Sequence, residues 1–88
     1  GTNEKLSPEI SIEIEPNPSS FQLNVKLDKP IIGSDVLIYN SYGQLINRQN
    51  LLTNTSFSIE TSTYKSGVYR LVIANKDLRI SKSFMVMH

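Results

Sequence analysis

Seven short segments in which apolar residues alternate with polar ones, glycine and proline signals between them, and no capped helical periodicity predict an all-β protein. For a chain of this length, the arrangement that buries one apolar face from each of two sheets is an immunoglobulin-like sandwich of about seven antiparallel strands. The 88 residues leave room for one core and no second domain. Residues 10–88 are read as that sandwich. Residues 1–9, polar with Pro8 among them, are read as a linker or expression scar leading into it.

The first strand opens with Ile10, Ile12 and Ile14 alternating with Ser11, Glu13 and Glu15, which puts β-branched side chains on one face and carboxylates on the other. Pro16-Asn17-Pro18-Ser19-Ser20 stops it, because proline donates nothing to a ladder and Asn and Ser bond locally in turns. In the second strand Phe21, Leu23, Val25 and Leu27 point inward and Gln22, Asn24 and Lys26 outward. Asp28-Lys29-Pro30 ends it and Gly33-Ser34 extends the break. The third strand, Asp35 to Asn40, and the fourth, Gln44 to Asn50, flank Ser41-Tyr42-Gly43. That spacing predicts a hairpin whose final loop residue, Gly43, takes a left-handed conformation free of a Cβ penalty.

Leu51 to Asn54 reads as a loop before a fifth strand, Thr55 to Glu60, with Phe57 and Ile59 inward. Gly67 opens the sixth, where Tyr69, Leu71 and Ile73 share one face and Val68, Arg70 and Val72 the other. Asn75-Lys76-Asp77 then turns the chain into the seventh, Leu78 to Met87. The expected core is Ile12, Leu23, Val25, Ile38, Phe57, Tyr69, Leu71 and Phe84.

Composition excludes several classes of function. Apolar residues make up 39% of the chain and charged residues 19%, a globular balance without the high charge of disorder. Net charge is +1 with Lys and Arg scattered, so no electrostatic footprint for nucleic acid is present. Apolar runs such as Leu71-Val72-Ile73-Ala74 are strand-sized against the roughly 20 residues a membrane-spanning helix needs, so membrane insertion is not expected. Cysteine is absent, which removes disulfides, thiolate nucleophiles and thiolate metal sites together.

Chemistry-bearing residues are few. The one histidine, His88, is the last residue, and a chain end expected to fray holds no convergent partners for catalysis or a metal. Without a base near any serine no nucleophilic triad can be assembled. Glu13 and Glu15 share an outward face that reads as an ordinary solvated strand surface. Of the tyrosines, Tyr69 belongs to the core and Tyr42 to a solvent-exposed hairpin tip, while Tyr39 and Tyr64 complete the only aromatic surface a sugar could stack on. Asn54-Thr55-Ser56 fits the glycosylation acceptor pattern, a pattern frequent by chance, and reads as loop. The protein is therefore expected to be no enzyme and to need no cofactor or metal. Lys82 is the misfit, since its parity matches Ile80, Phe84 and Val86. A bulge could re-expose it, or its stem could snorkel along the sandwich rim, either idle or as a recognition contact.

Four elements in order resemble a known family: Pro16-Asn17-Pro18 before an alternating strand, Val36 to Ile46 around the hairpin, Ser66-Gly67-Val68-Tyr69-Arg70-Leu71-Val72, and Lys82-Ser83-Phe84-Met85-Val86. Together they are similar to the type A C-terminal sorting domain of the type IX secretion system, from about Ile14 to the end. The chain departs from that pattern at Phe21, where the family usually has an acid, and at Asn40 and Gln44, where its hairpin usually carries Asp and Arg. The resemblance implies a domain that directs a cargo protein through the periplasm to the cell surface, read by an outer-membrane translocon and commonly cleaved by a sortase as the cargo is anchored to lipopolysaccharide. It implies recognition through Lys82, Phe84, Met85, Val86 and His88, with Pro16, Asn17, Pro18, Gly43, Gly67 and Tyr69 as family motif residues. The hairpin and the Gly-Val-Tyr strand also fit small exported β-sandwich proteins that stand alone. On that second reading the function is a freestanding secreted module binding a protein or a glycan.

Overall fold

Alternation of apolar and polar residues produces seven strands: β1 (Ile12–Glu15), β2 (Gln22–Leu27), β3 (Ser34–Tyr39), β4 (Leu45–Leu52), β5 (Ser56–Glu60), β6 (Gly67–Ala74) and β7 (Arg79–Val86). The computed structural model describes residues 10–18, 20–31, 33–52 and 55–88, the side chains of 51 and 52 excepted. The expected linker at 1–9 and the acceptor asparagine Asn54 lie outside the described residues.

The strands form a three-stranded sheet in the order β1-β2-β5 and a four-stranded sheet in the order β4-β3-β6-β7, every pairing antiparallel. The inward rows of the two sheets make one core, including Ile12, Ile14, Leu23, Val25, Ile38, Leu71, Phe84 and Val86. Each such side chain contributes about 1.5–3 kcal/mol by leaving water. Tyr69 is inward with them. Its ring lies 5.6 Å from that of Phe84 at an interplanar angle of 19°. Its hydroxyl donates to the Lys65 carbonyl at 2.6 Å, which satisfies the polar end of a buried phenol in the manner of a tyrosine corner.

The hairpin forms as its residues dictate. Gly43 sits at φ 83°, in the left-handed region. Asn40 organises the loop: its side-chain oxygen accepts from the amides of Tyr42 (2.9 Å) and Gln44 (3.0 Å), and its carbonyl accepts from Gly43 (3.0 Å). Its carboxamide nitrogen donates to the Gln44 side chain at 2.8 Å. An amide pair thus bridges the hairpin at the two positions where the charged residues of the family pattern are missing.

Four expectations are corrected, and one residue on its expected face is more buried than its neighbours there. Phe21 does not point into the core and is 74% exposed, because the last β2–β5 pair is Gln22 with Glu60. The chain bends at Phe21, which contributes only its carbonyl, to the Thr61 amide at 2.8 Å. Phe57 is half-buried against the core rather than within it. Ser34 belongs to β3 and not to the break before it, its hydroxyl donating to the Ile31 carbonyl at 2.8 Å. Leu51 and Leu52 continue β4, because Leu52 pairs with Ser34 across a register shift. Val72 lies on the outer face as its parity requires, yet it is only 1% exposed, covered by its neighbours on that face.

Candidate recognition surface

β7 carries most of the residues implied in recognition, and the sandwich divides them. Its ladder with β6 runs without a shift from Gly67 opposite Val86 to Ala74 opposite Arg79, so no bulge interrupts the alternation. Phe84 and Val86 are therefore core residues, and their side chains are not available to a partner in the folded domain. What β7 presents outward is Arg79, Ser81, Ser83 and Met85.

Lys82 resolves by snorkelling rather than by a bulge. Its ammonium donates to the Ile12 carbonyl at 3.0 Å, bridging the two sheets where β7 runs beside β1. Three residues on, the Met85 amide, which points away from β6, donates to the Asn17 side-chain oxygen at 3.0 Å. The Pro16-Asn17-Pro18 turn does more than end β1: it satisfies a backbone donor on the exposed edge of the last strand, 68 residues away. Both flanking peptide bonds, Glu15-Pro16 and Asn17-Pro18, are cis. Local sequence gives no signal for so distant a partner beyond the turn-forming residues themselves.

His88 is not frayed as expected. Because Gly67 pairs with Val86, the end of the chain lies beside the loop before β6. There the His88 amide donates to the Ser66 hydroxyl (3.0 Å), and its ring Nε2 lies 2.7 Å from the Tyr64 carbonyl. Tyr64 extends the aromatic row, its ring 5.2 Å from that of Tyr69. Its phenol is pushed above the ordinary value near 10, chiefly by burial; the hydrogen bond from Asn47 (3.3 Å) works against that shift and the neighbouring Tyr69 adds to it.

The remaining sequence-derived residues are scattered. Gly43 lies at the hairpin, Gly67 at the start of β6 opposite Val86, and Tyr69 in the core. Glu13 and Glu15 are exposed on the outer face of the three-stranded sheet, with Lys26 opposite Glu13. Tyr39 is half-buried on the outer face of the four-stranded sheet and Tyr42 projects into solvent. Sequence reasoning missed the two outward arginines Arg70 and Arg79. The parity that placed Arg70 beside Val68 and Val72 was the available signal.

Two antiparallel sheets packed around one core define an immunoglobulin-like β-sandwich domain. A solved structure with that architecture, a DUF3244 family protein with an immunoglobulin-like β-sandwich fold from Bacteroides vulgatus, superimposes with a TM-score of 0.65 over 88% of this chain and 92% of the other at 14% identity. None of the curated proteins matches. Within that architecture the chain belongs to the secretion system C-terminal sorting domain family, whose model matches residues 13–87, from β1 through the end of β7. It is thus a sorting domain of type IX secretion, and membership implies export to the cell surface or secretion. No helix long and apolar enough to cross a membrane occurs among the described residues.

Proposed function

We propose that this sandwich is the signal by which a cargo protein carrying it is handed to the type IX machinery at the outer membrane and delivered to the cell surface. It acts by being recognised and not by catalysis, and a sortase that removes it as the cargo is anchored is its second partner. The observation that carries the reading is the extent of the family match, residues 13–87, which takes in every strand from within β1 to the end of β7. The unit of recognition is on this account the folded domain. The hydrogen bonds from Lys82 to Ile12 and from Met85 to Asn17 support that view, since each ties the last strand to the first strand or the turn after it.

The test is fusion of residues 1–88 behind a periplasmic reporter in a cell with an active type IX system. The reporter is expected at the surface. A reporter that stays in the periplasm, while a genuine cargo tag exports it in the same cells, sinks the sorting role and leaves a freestanding binding module.

A further inference from the structure

We infer that the outer face of β6 and β7 is the docking surface of this domain, and that its partner is an acidic protein surface with an apolar pocket. The inference rests on the sorting reading and names the face through which it operates. Four rows cross the two strands: Val68 beside Met85, Arg70 beside Ser83, Val72 beside Ser81, and Ala74 beside Arg79. Tyr39 of β3 stands next to Arg70. A groove of ≈ 530 Å³ runs along this face, with Tyr39, Arg70, Val72 and Arg79 in its lining, and a second depression continues it over Val68 and Met85 to Pro18.

Charge gives the first argument. The outer face of the four-stranded sheet carries Arg48, Arg70 and Arg79 against one carboxylate, Asp35. Asp35 is taken by Arg48 at 3.0 Å, the one ion pair among the described residues. Among the described residues Arg70 reaches only the Ser81 hydroxyl, at 3.2 Å, and Arg79 makes no ion pair, so both can offer guanidinium forks to carboxylates. The opposite face of the sandwich is the reverse, with Glu13, Glu15 and Glu60 against Lys26. A chain of net charge +1 has thus separated its charge onto two faces, and the basic one complements an acidic partner.

Apolar exposure gives the second. Val68 and Met85 face each other across the strands and remain 49% and 40% exposed, an apolar pair at one end of a basic strip. Methionine and arginine are enriched at protein interfaces, where methionine adapts to an irregular pocket. An isolated anion would engage the arginines and leave this pair in water.

The state of the β7 edge gives the third. A peptide adding as a strand needs free backbone groups, and the Met85 amide is already bonded to Asn17. A strand adding at Met85 would have to displace Asn17, whereas the side chains on the sheet face can be read with that bond in place.

Two measurements test this. In the reporter fusion, Arg70→Glu with Arg79→Glu is expected to cut surface delivery by about tenfold or more, since like charges then meet across the interface. Met85→Ser is expected to weaken delivery as well. Glu13→Arg with Glu60→Arg, the matching reversal on the other face, should leave delivery unchanged, with thermal melts confirming that all variants fold. Delivery by every variant alike, or equal loss on both faces, overturns the proposal while leaving the sorting role intact.

The second measurement does not depend on export. The purified domain is titrated with an acidic peptide of alternating Glu and Leu, and backbone amide shifts are mapped. Shifts confined to β6 and β7, with roughly tenfold weaker binding for Arg70→Gln with Arg79→Gln, are expected from the loss of two charge-assisted contacts. Shifts spread over both sheets, or equal affinity for a Lys–Leu peptide, overturn it even where the fusion fails to export.

Discussion

The two edge strands of the four-stranded sheet, β7 and β4, meet the same hazard in opposite ways. An edge presents unpaired backbone groups that invite another strand. β7 is capped at one point and tied down: Asn17 accepts from its Met85 amide, Lys82 bridges from it to β1, and its inward residues Phe84 and Val86 are core. β4 is left open but made unattractive, with Asn47, Arg48, Gln49 and Asn50 along it and register shifts against β3 near both ends. The difference teaches that the last strand is integrated with the N-terminal turn, while β4 is attached to the sandwich mainly through β3.

The sharpest break of that comparison is in stability. Phe84→Ala removes a buried ring stacked on Tyr69 and should cost about 3–5 kcal/mol, whereas Leu45→Ala on half-exposed β4 should cost below about 1 kcal/mol. Midpoints of denaturant unfolding measure both, and similar shifts would show that the two edges are equally integrated. Gly43→Ala comes next. A Cβ there meets nothing within 4 Å, so the cost is backbone strain alone, about 1–2 kcal/mol. Gly43→Asn should cost less, because asparagine tolerates the left-handed region, and an unchanged midpoint for both would mean that the β3–β4 turn relaxes. Asn17→Ala should cost roughly 0.5–1.5 kcal/mol through the lost hydrogen bond. Its local signature is faster hydrogen exchange at the Met85 amide, with β4 amides unaffected.

These sites also mark what the sequence could and could not disclose. Gly43 was legible because a short loop between two alternating segments requires one left-handed residue. The inward rows were legible because a period of two leaves little choice where both flanking faces exist. Phe21 failed because periodicity does not say where the partner strand stops, and β5 ends opposite Gln22. For Val72 parity gave the right face, while its burial there depends on neighbours from β3 and β7 that parity does not show. Lys82 and Asn17 lay beyond local reading, since their partners are 70 and 68 residues away and are brought close only by sheet packing. His88 looked idle as a terminal residue, but the β6–β7 register sets it beside the Tyr64 carbonyl.

Tyr64 is where the two edges communicate, and it gives the smallest and most specific expected effect. Its hydroxyl accepts from Asn47 of β4, and its ring lies tilted against Tyr69, which stacks on Phe84 of β7. Burial raises its pKa above the ordinary value near 10, so the fold favours the neutral phenol. The stabilisation linked to this group is then fully present below the unfolded value and is lost as pH rises through the higher folded value. In an ultraviolet titration, a late component ionising above the ordinary tyrosine value is expected, and Tyr64→Phe should delete it. The bond from Asn47 opposes the shift, so Asn47→Ala should move the late ionisation to still higher pH. If Asn47→Ala leaves it unmoved, the β4 contact does not reach the phenol in solution, and the open edge is coupled to the sandwich through β3 alone.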